Sequence, residues 1–176
     1  MAKKISTPHR TALVRQAETK DATPLRKIRL EALENHPESF GSDVDNELDQ
    51  PISAWKKILD DQNYNAVFVA ESKSTLVGMT GIFIRDRIKL KHTGNIWGVY
   101  VQPEWRGSGV ADQLIQSSLN WAKEKGLQQV KLAVITTNSA AIHLYKRCGF
   151  REYGMDPNVI QWQGVGYDEI LMVFRF

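Results

Sequence analysis

The spacing of apolar residues changes several times along this chain, and each change marks a predicted element. Behind Thr23-Pro24, which predicts the N-cap and first position of a helix, apolar spacing is helical up to Pro37. The positions that share this helical spacing are Leu25, Ile28, Arg29, Ala32 and Leu33. The polar, acidic residues 37–50 predict a loop or broken helix, and 51–61 predict a second short helix.

The middle of the chain changes to β-rich runs. The predicted strands are 12–17, 66–70, 76–84, 96–101, 130–135 and 167–176. An amphipathic helix is predicted from Val110 to near Gly126, and a short one over 139–147. Residues 161–169 predict a loop into the last strand. The pattern is therefore mixed α+β, with helices before and after a β-meander.

Composition limits the organisation of the chain. Its 176 residues, 42% hydrophobic and 24% charged, suit one domain with a real core. Without repeats or an interdomain linker, we expect a flexible leader over 1–10 and a single domain over 11–176.

Charge and cysteine content exclude several classes of partner. A net charge of +3 without a polybasic tract argues against nucleic-acid binding. No apolar run approaches the roughly 20 residues of a membrane span, and the first ten residues lack the apolar core of a secretory signal. The single Cys148 excludes an intrachain disulfide framework and favours a reducing compartment, so we expect a cytoplasmic monomer or homodimer. No metal site is predicted.

One loop carries the strongest chemical signal. Residues 106–111 (RGSGVA) join a predicted strand to a predicted helix, where free N–H groups and close backbone approach suit a phosphate. A P-loop would need Gly-Lys-Ser/Thr here, and the dinucleotide fingerprint would place its third glycine at Asp112. Both interpretations are therefore disfavoured, which leaves a pyrophosphate loop or a glycine-rich turn without a ligand.

Two further stretches decide between these alternatives. The strand, proline and Arg-Gly-x-Gly-x-Ala of 99–111, followed by NSAAIHLYKRCGF over 138–150, resemble the signatures of the GNAT family of N-acetyltransferases. The N-terminal segment PLRKIRLEALENHPESFGS, over 24–42, also resembles many members. The resemblance runs from about residue 12 to the end. It implies a three-layer α/β/α sandwich around a mixed, mostly antiparallel sheet with one splayed strand pair.

The resemblance also implies a cofactor, acetyl-CoA, and the residues that bind it. The backbone of Val99, Tyr100 and Val101 would pair with the pantetheine arm, and Asn138 would contact the cofactor. The pyrophosphate would lie on the residues of the loop: Arg106, Gly107, Ser108, Gly109, Val110 and Ala111. Tyr145 would protonate the leaving thiolate. Structural alternatives stay open, because Tyr145 could be a packed aromatic and Asn138 a helix cap, and Arg106 a solvated side chain.

The general base is not identified by sequence. In the family a glutamate often occupies one of two strand positions, which here hold Asn95 and Ala133. Glu104 is predicted to be solvated, and neither His92 nor His143 is assigned a role. A water relay is the working hypothesis. The lone cysteine, Cys148, has no partner histidine placed by sequence and is not expected to act as a nucleophile.

The predicted function is transfer of an acetyl group to a primary amine by direct attack. The acceptor is expected to be a small-molecule or peptide amine. The acidic residues near the predicted acceptor side are either a solvated face or a negative mouth that attracts cationic amines. They are Glu31, Glu34, Glu38, Asp43, Asp45, Glu47 and Asp49. Alternatives are a CoA-binding sensor without turnover, or an enzyme for protein N-termini or lysines.

Overall fold

A computed structural model describes residues 3–7 and 10–176, and across them runs one eight-stranded sheet in the order β1-β2-β3-β4-β5-β6-β8-β7. The strands are β1 Lys3–Thr7, β2 Arg10–Gln16, β3 Asn65–Ser72, β4 Thr75–Ile84, β5 Thr93–Val101, β6 Gln129–Ile135, β7 Arg151–Trp162 and β8 Val165–Arg175. The helices are α1 Ala22–Asn35, α2 Val44–Asp49, α3 Ile52–Asp60, α4 Val110–Glu124 and α5 Ser139–Arg147. Within these described ranges, no helix has the length and apolar character to cross a membrane.

The helices cover both faces of the sheet. Leu25, Ile28 and Leu59 of α1 and α3 share a core with β3, β4 and Tyr100 of β5. On the other face, Leu114 of α4 and Leu144 of α5 share a second core with the alternate residues of these strands, such as Phe68 of β3. The predicted α+β sandwich of three layers is thus confirmed, since burial on both faces requires a helix layer on each side.

The sheet is antiparallel except at one pair of strands. β5 and β6 run parallel, and they pair only through Thr93, Gly94 and Asn95 with Gln129, Val130 and Lys131. Beyond Asn95 the two strands separate, which confirms the predicted splayed pair.

A β-bulge lies where β5 leaves β6. Trp97 lies opposite Gly81 and Tyr100 opposite Met79, so β5 holds one more residue than β4 between these two pairs. Gly98 within this segment has φ of +62°, a conformation that favours glycine. Bulges bend a strand and increase its twist. The bulge therefore accounts for the divergence that opens a cleft between β5 and β6.

Three sequence predictions need correction. A flexible leader was expected over 1–10, but Lys3–Thr7 within it form β1 and pair antiparallel with β2; residues 1, 2, 8 and 9 lie outside the described part. α1 begins at Ala22 instead of Pro24, directly after a 3-10 turn at Thr19–Asp21. β7 was not predicted, and residues 161–169, expected to form a loop, lie mostly in strands: β7 ends at Trp162 and β8 begins at Val165, so only 163–164 form the turn.

Candidate active site

The cleft between β5 and β6 has a volume of about 850 Å³. One wall is β5 from Ile96 to Val101, and the facing wall is β6 from Leu132 to Ile135. The loop at 106–111 and the first residues of α4 close one end, and Tyr145 of α5 and Asn138, which precedes α5, also line the cleft. The fold thus brings together the motifs that the sequence placed about thirty residues apart.

The loop has the geometry of an anion site. Gly107 and Gly109 adopt φ of +72° and +85°, and a Cβ built on either glycine would have no atom within 4 Å. Their conformation, and not crowding, therefore requires glycine. Gly109 is the N-cap of α4, so the N–H groups of Val110, Ala111 and Asp112 have no intrahelical acceptor. The helix dipole and these donors favour an anion such as a phosphate here.

The side chain of Arg106 forms hydrogen bonds to the rest of the protein. Its Nε donates to the Val101 carbonyl oxygen at 3.1 Å, and its Nη2 lies 2.9 Å from His36 Nε2. Of the two interpretations of this residue, a freely solvated arginine is excluded. Arg106 instead ties the loop to β5 and to the end of α1.

The backbone of β5 alternates between two neighbours. Gln102 N–H donates to Val77 of β4, so by the antiparallel pattern Tyr100 also faces β4 and Val101 faces away from it. The bond from Arg106 to the Val101 carbonyl oxygen agrees with this direction. Val99 and Val101 line the cleft as edge residues to which an extended arm can add as a strand.

Tyr100 has a second role that the sequence did not indicate. Its hydroxyl donates to Glu31 Oε1 at 2.9 Å, and Gln102 Nε2 donates to the same carboxylate. Burial raises the pKa of Tyr100 above its ordinary value. The side chain therefore links α1 to β5 as a neutral phenol.

Asn138 caps α5. Its side-chain oxygen accepts a hydrogen bond from Ala141 N–H at 3.1 Å, which confirms the capping interpretation. The cap uses the oxygen of the amide and leaves its NH2 group for a ligand. Because Asn138 also lines the cleft, the structural and cofactor roles are compatible.

Tyr145 is buried at 6% exposure and lines the same cleft. Its ring packs edge-on against Phe150 with centroids 6.0 Å apart. Its hydroxyl makes no hydrogen bond to any residue of 3–7 or 10–176. Burial raises its pKa well above that of an ordinary phenol, with a smaller contribution from Cys148. Tyr145 is therefore both a packed aromatic and a protonated hydroxyl at the cleft.

Two other side chains clarify what the site does not use. Burial raises the pKa of Cys148 to about 11, so its thiol is protonated near neutral pH, as expected for a residue that is not a nucleophile. Asp112 accepts a bidentate hydrogen bond from Arg147, at 2.8 and 3.0 Å, which joins α4 to α5. This contact gives a structural role to the residue that excluded the dinucleotide fingerprint.

The two positions that hold a glutamate in many family members hold residues that cannot act as a base in this chain. Ala133 lines the cleft, and Asn95 lies at the last paired position of β5. Glu104 is exposed in the 3-10 turn Pro103–Trp105, and His92 and His143 are exposed outside the cleft lining.

One histidine that lines the cleft was not identified from the sequence. His36 directly follows α1 and lines the cleft beside Arg106. A guanidinium can only donate, so His36 Nε2 must accept, and the proton of the neutral ring lies on Nδ1. The only sequence signal was its position before Pro37, where the helix had to end.

The acidic residues of 31–49 do not form one uniform surface. Glu31 binds Tyr100, Asp43 caps α2 by accepting from Asn46 N–H at 2.8 Å, and Glu47 accepts from the Trp55 indole at 3.0 Å. Glu34, Asp43 and Asp45 line a second cavity of about 620 Å³ beside Val159–Trp162 of β7. The solvated-face interpretation is thus incomplete, because part of the set is structural.

Known proteins resemble this chain in sequence. An uncharacterized N-acetyltransferase of Methanocaldococcus jannaschii is 33% identical over 87 residues, 48% of this chain and 38% of that protein. Mycothiol acetyltransferase of Thermobispora bispora is 35% identical over 91 residues, 51% of this chain and 31% of that protein. This chain therefore matches only about a third of the length of these two curated relatives. The L-amino acid N-acetyltransferase AaaT of Escherichia coli is 28% identical over 81% of this chain and 84% of that protein.

Solved structures and a family model agree with this likeness. A GNAT-family acetyltransferase of Streptococcus pneumoniae superposes with a TM-score of 0.85 at 24% identity, over 94% of this chain and 99% of the other. YncA of Salmonella typhimurium, solved with its cofactor acetyl-CoA, gives 0.77 at 23% identity, over 93% of both chains. The model of the Acetyltransferase (GNAT) family matches residues 25–150, which span both signatures and the cleft. The chain therefore belongs to the GNAT family of acetyltransferases, whose cofactor is acetyl-CoA.

Proposed function

We propose that this chain, as the single domain predicted for residues 11–176, is an N-acetyltransferase that acts on the primary amine of a small molecule. The observation that carries the proposal is the convergence of the loop at 106–111, Asn138 and Tyr145 on the cleft between β5 and β6. Relatives whose names specify amines, such as AaaT and the thialysine N-epsilon-acetyltransferase of Sus scrofa, support a small-molecule acceptor.

The described residues fit acetyl-CoA. The N–H groups at the start of α4 would hold the pyrophosphate, Val99 and Val101 would offer edge backbone to the pantetheine arm, and the NH2 group of Asn138 would contact the cofactor. Bound acetyl-CoA supplies the thioester that a neutral amine attacks directly.

Tyr145 acts as the general acid in this proposal. Its hydroxyl lines the cleft and is not committed to another described residue, so it is placed to donate its proton to the leaving thiolate. The amine loses its own proton to a water relay, because neither Asn95 nor Ala133 can accept it. Proximity in the cleft supplies much of the remaining acceleration.

The test is thiol release from acetyl-CoA with a panel of primary amines and peptides. We expect turnover with small amines, and a fall in kcat of about 100-fold or more in Tyr145→Phe at unchanged CoA affinity. Tyr64→Phe is the matched control, because the Tyr64 hydroxyl contacts Lys91 outside the cleft lining.

Other outcomes would support the alternatives. Tight CoA binding without turnover of any amine, and without an effect of Tyr145→Phe, would indicate a CoA-binding sensor. Turnover of peptides alone would indicate an enzyme for protein N-termini or lysines.

A further inference from the structure

A buried arginine on α1 has hydrogen-bond donors without acceptors. Arg29 is 6% exposed, yet its Nε and Nη1 donate no hydrogen bond to any atom of residues 3–7 and 10–176. A guanidinium is normally buried only when it is paired and hydrogen-bonded, because desolvation of the charge is costly. The unmet donors of Arg29 therefore require an explanation.

Glu47 offsets the charge of Arg29 without using its donors. Glu47 Oε2 lies 3.8 Å from Arg29 Nε, which is too long for a hydrogen bond, and Glu47 Oε1 already accepts from the Trp55 indole. Burial lowers the pKa of Arg29, and Glu47 partly opposes this shift. The carboxylate thus favours a charged arginine whose Nη1 stays unbound.

The position of Arg29 connects it to the cleft. Its guanidinium carbon lies 4.7 Å from the centroid of the Phe40 ring and 6.0 Å from that of Trp97. A Cβ built on Gly98 would lie 3.8 Å from Arg29 Nη1. Phe40, Trp97 and Gly98 all line the cleft, on the face of the sheet covered by α1. The free donors therefore lie directly behind the cleft wall, next to the bulge of β5.

We propose that Arg29 binds the carboxylate of the acceptor, and that the acceptor is an α-amino acid acetylated on its α-amine. A planar carboxylate provides two oxygens to a guanidinium, which satisfies donors that a simple amine would leave unmet. The inference rests on the proposed function and names its substrate class.

The geometry of an α-amino acid suits this position. Its amine is two bonds from the carboxylate carbon, and Gly98 is adjacent to Val99–Val101, the segment proposed to hold the thioester arm. A carboxylate anchored at Gly98 would therefore keep the α-amine close to the reacting end of that arm. An amine at the end of a long side chain would be held farther away.

The first test uses the unmodified protein and matched acceptors. Each L-amino acid is compared with its amide and with the amine left by decarboxylation, and kcat/KM is measured by thiol release. We expect the amino acid to exceed both analogues by about 10- to 100-fold, the range for a hydrogen bond to a buried charge. Equal or better turnover of the analogues would overturn the role of Arg29 and leave the proposed acetyltransferase function intact.

A binding measurement separates this inference from the proposed function. Calorimetry on the CoA complex, with the same three acceptors, reports the carboxylate preference even if no acceptor is turned over. Amino acid binding at least about 10-fold tighter than the amide supports the site whether or not acetylation occurs. Equal affinity, or no binding of any of the three, refutes it.

Two variants then distinguish a ligand contact from a structural ion pair. Arg29→Gln should raise KM for the amino acid by about 10- to 100-fold and should affect the decarboxylated amine, which offers no acceptor to a guanidinium, much less. Glu47→Gln removes the same ion pair but keeps the donors, so KM for the amino acid should stay the same or fall. If both variants change KM and thermal stability equally, the pair is only structural and the proposal fails.

Discussion

At the residue scale, His36 lines the cleft beside Arg106 of the loop, and its contacts make it a poor base. Nε2 accepts from Arg106 at 2.9 Å, and Nδ1 carries the proton in that neutral tautomer. The ring has no free lone pair with which to deprotonate an amine. We therefore expect the water relay to hold even though a histidine lines the cleft.

The pH dependence of kcat/KM checks this expectation. Between pH 5 and 8, we expect no enzyme group to titrate in the wild-type profile, and His36→Gln should leave the shape of the profile unchanged. His143→Gln serves as the control, because His143 is exposed on α5 outside the cleft lining. A single pKa in this range that disappears only in His36→Gln would show that His36 is the base.

At the scale of elements, the pyrophosphate site proposed at the start of α4 depends on two glycines, Gly107 and Gly109, in the left-handed region. Gly109→Ala should weaken CoA binding and cost roughly 1–2 kcal/mol of stability, because a Cβ is unfavourable at its φ of +85°. Gly126 ends the same helix at φ of +72°, also with no atom within 4 Å of a built Cβ.

Gly126→Ala is thus a matched control for strain. Both variants should lower the midpoint of thermal unfolding to a similar extent, and only Gly109→Ala should reduce CoA affinity in calorimetry. A comparable loss of CoA affinity in both variants would mean that helix stability, and not the loop, governs binding.

For the whole molecule, an ion-pair cluster joins elements distant in sequence. Arg15 of β2 binds Asp21 at 2.6 and 2.8 Å, and it also donates to Glu71 of β3 at 2.9 Å. Glu18 N–H donates to the same Asp21 carboxylate at 2.8 Å. The hydrogen bond from Arg15 is the largest effect on the pKa of Asp21 and lowers it. Burial, the next largest effect, raises this pKa, and the hydrogen bond from Glu18 N–H lowers it further.

This cluster predicts acid sensitivity. Because the pKa of Asp21 is lower in the folded state, the unfolded chain binds the proton first, and stability is lost as pH falls below about 4. Asp21→Asn should lower the free energy of unfolding by roughly 1–3 kcal/mol at neutral pH, since buried donors lose a charged acceptor. Urea unfolding from pH 7 to pH 3 should show a shallower decline for the variant. Parallel declines would exclude Asp21 as a source of acid sensitivity.

The sequence by itself determined the elements with strong local patterns, including the starts of two helices. α4 and α5 begin at the predicted residues, because Gly109 and Asn138 are local signals that act on adjacent backbone. β7 was missed because its residues, from Arg151 to Trp162, are polar or exposed along nearly their whole length. Its pairing with β8 makes it a strand, and pairing is not a local property.

Only the tertiary structure decided which side chains surround the cleft and which of their polar groups lack a partner. Arg29 occupies an apolar-face position of α1 in the sequence, and that pattern does not say whether a charged residue there is paired. In the folded chain Arg29 packs against Phe40, Trp97 and Gly98, and its Nε and Nη1 have no hydrogen-bond acceptor beside the cleft. The physical reason is range: helix caps and glycine conformations act over a few residues, whereas burial and charge pairing depend on residues brought together by the fold.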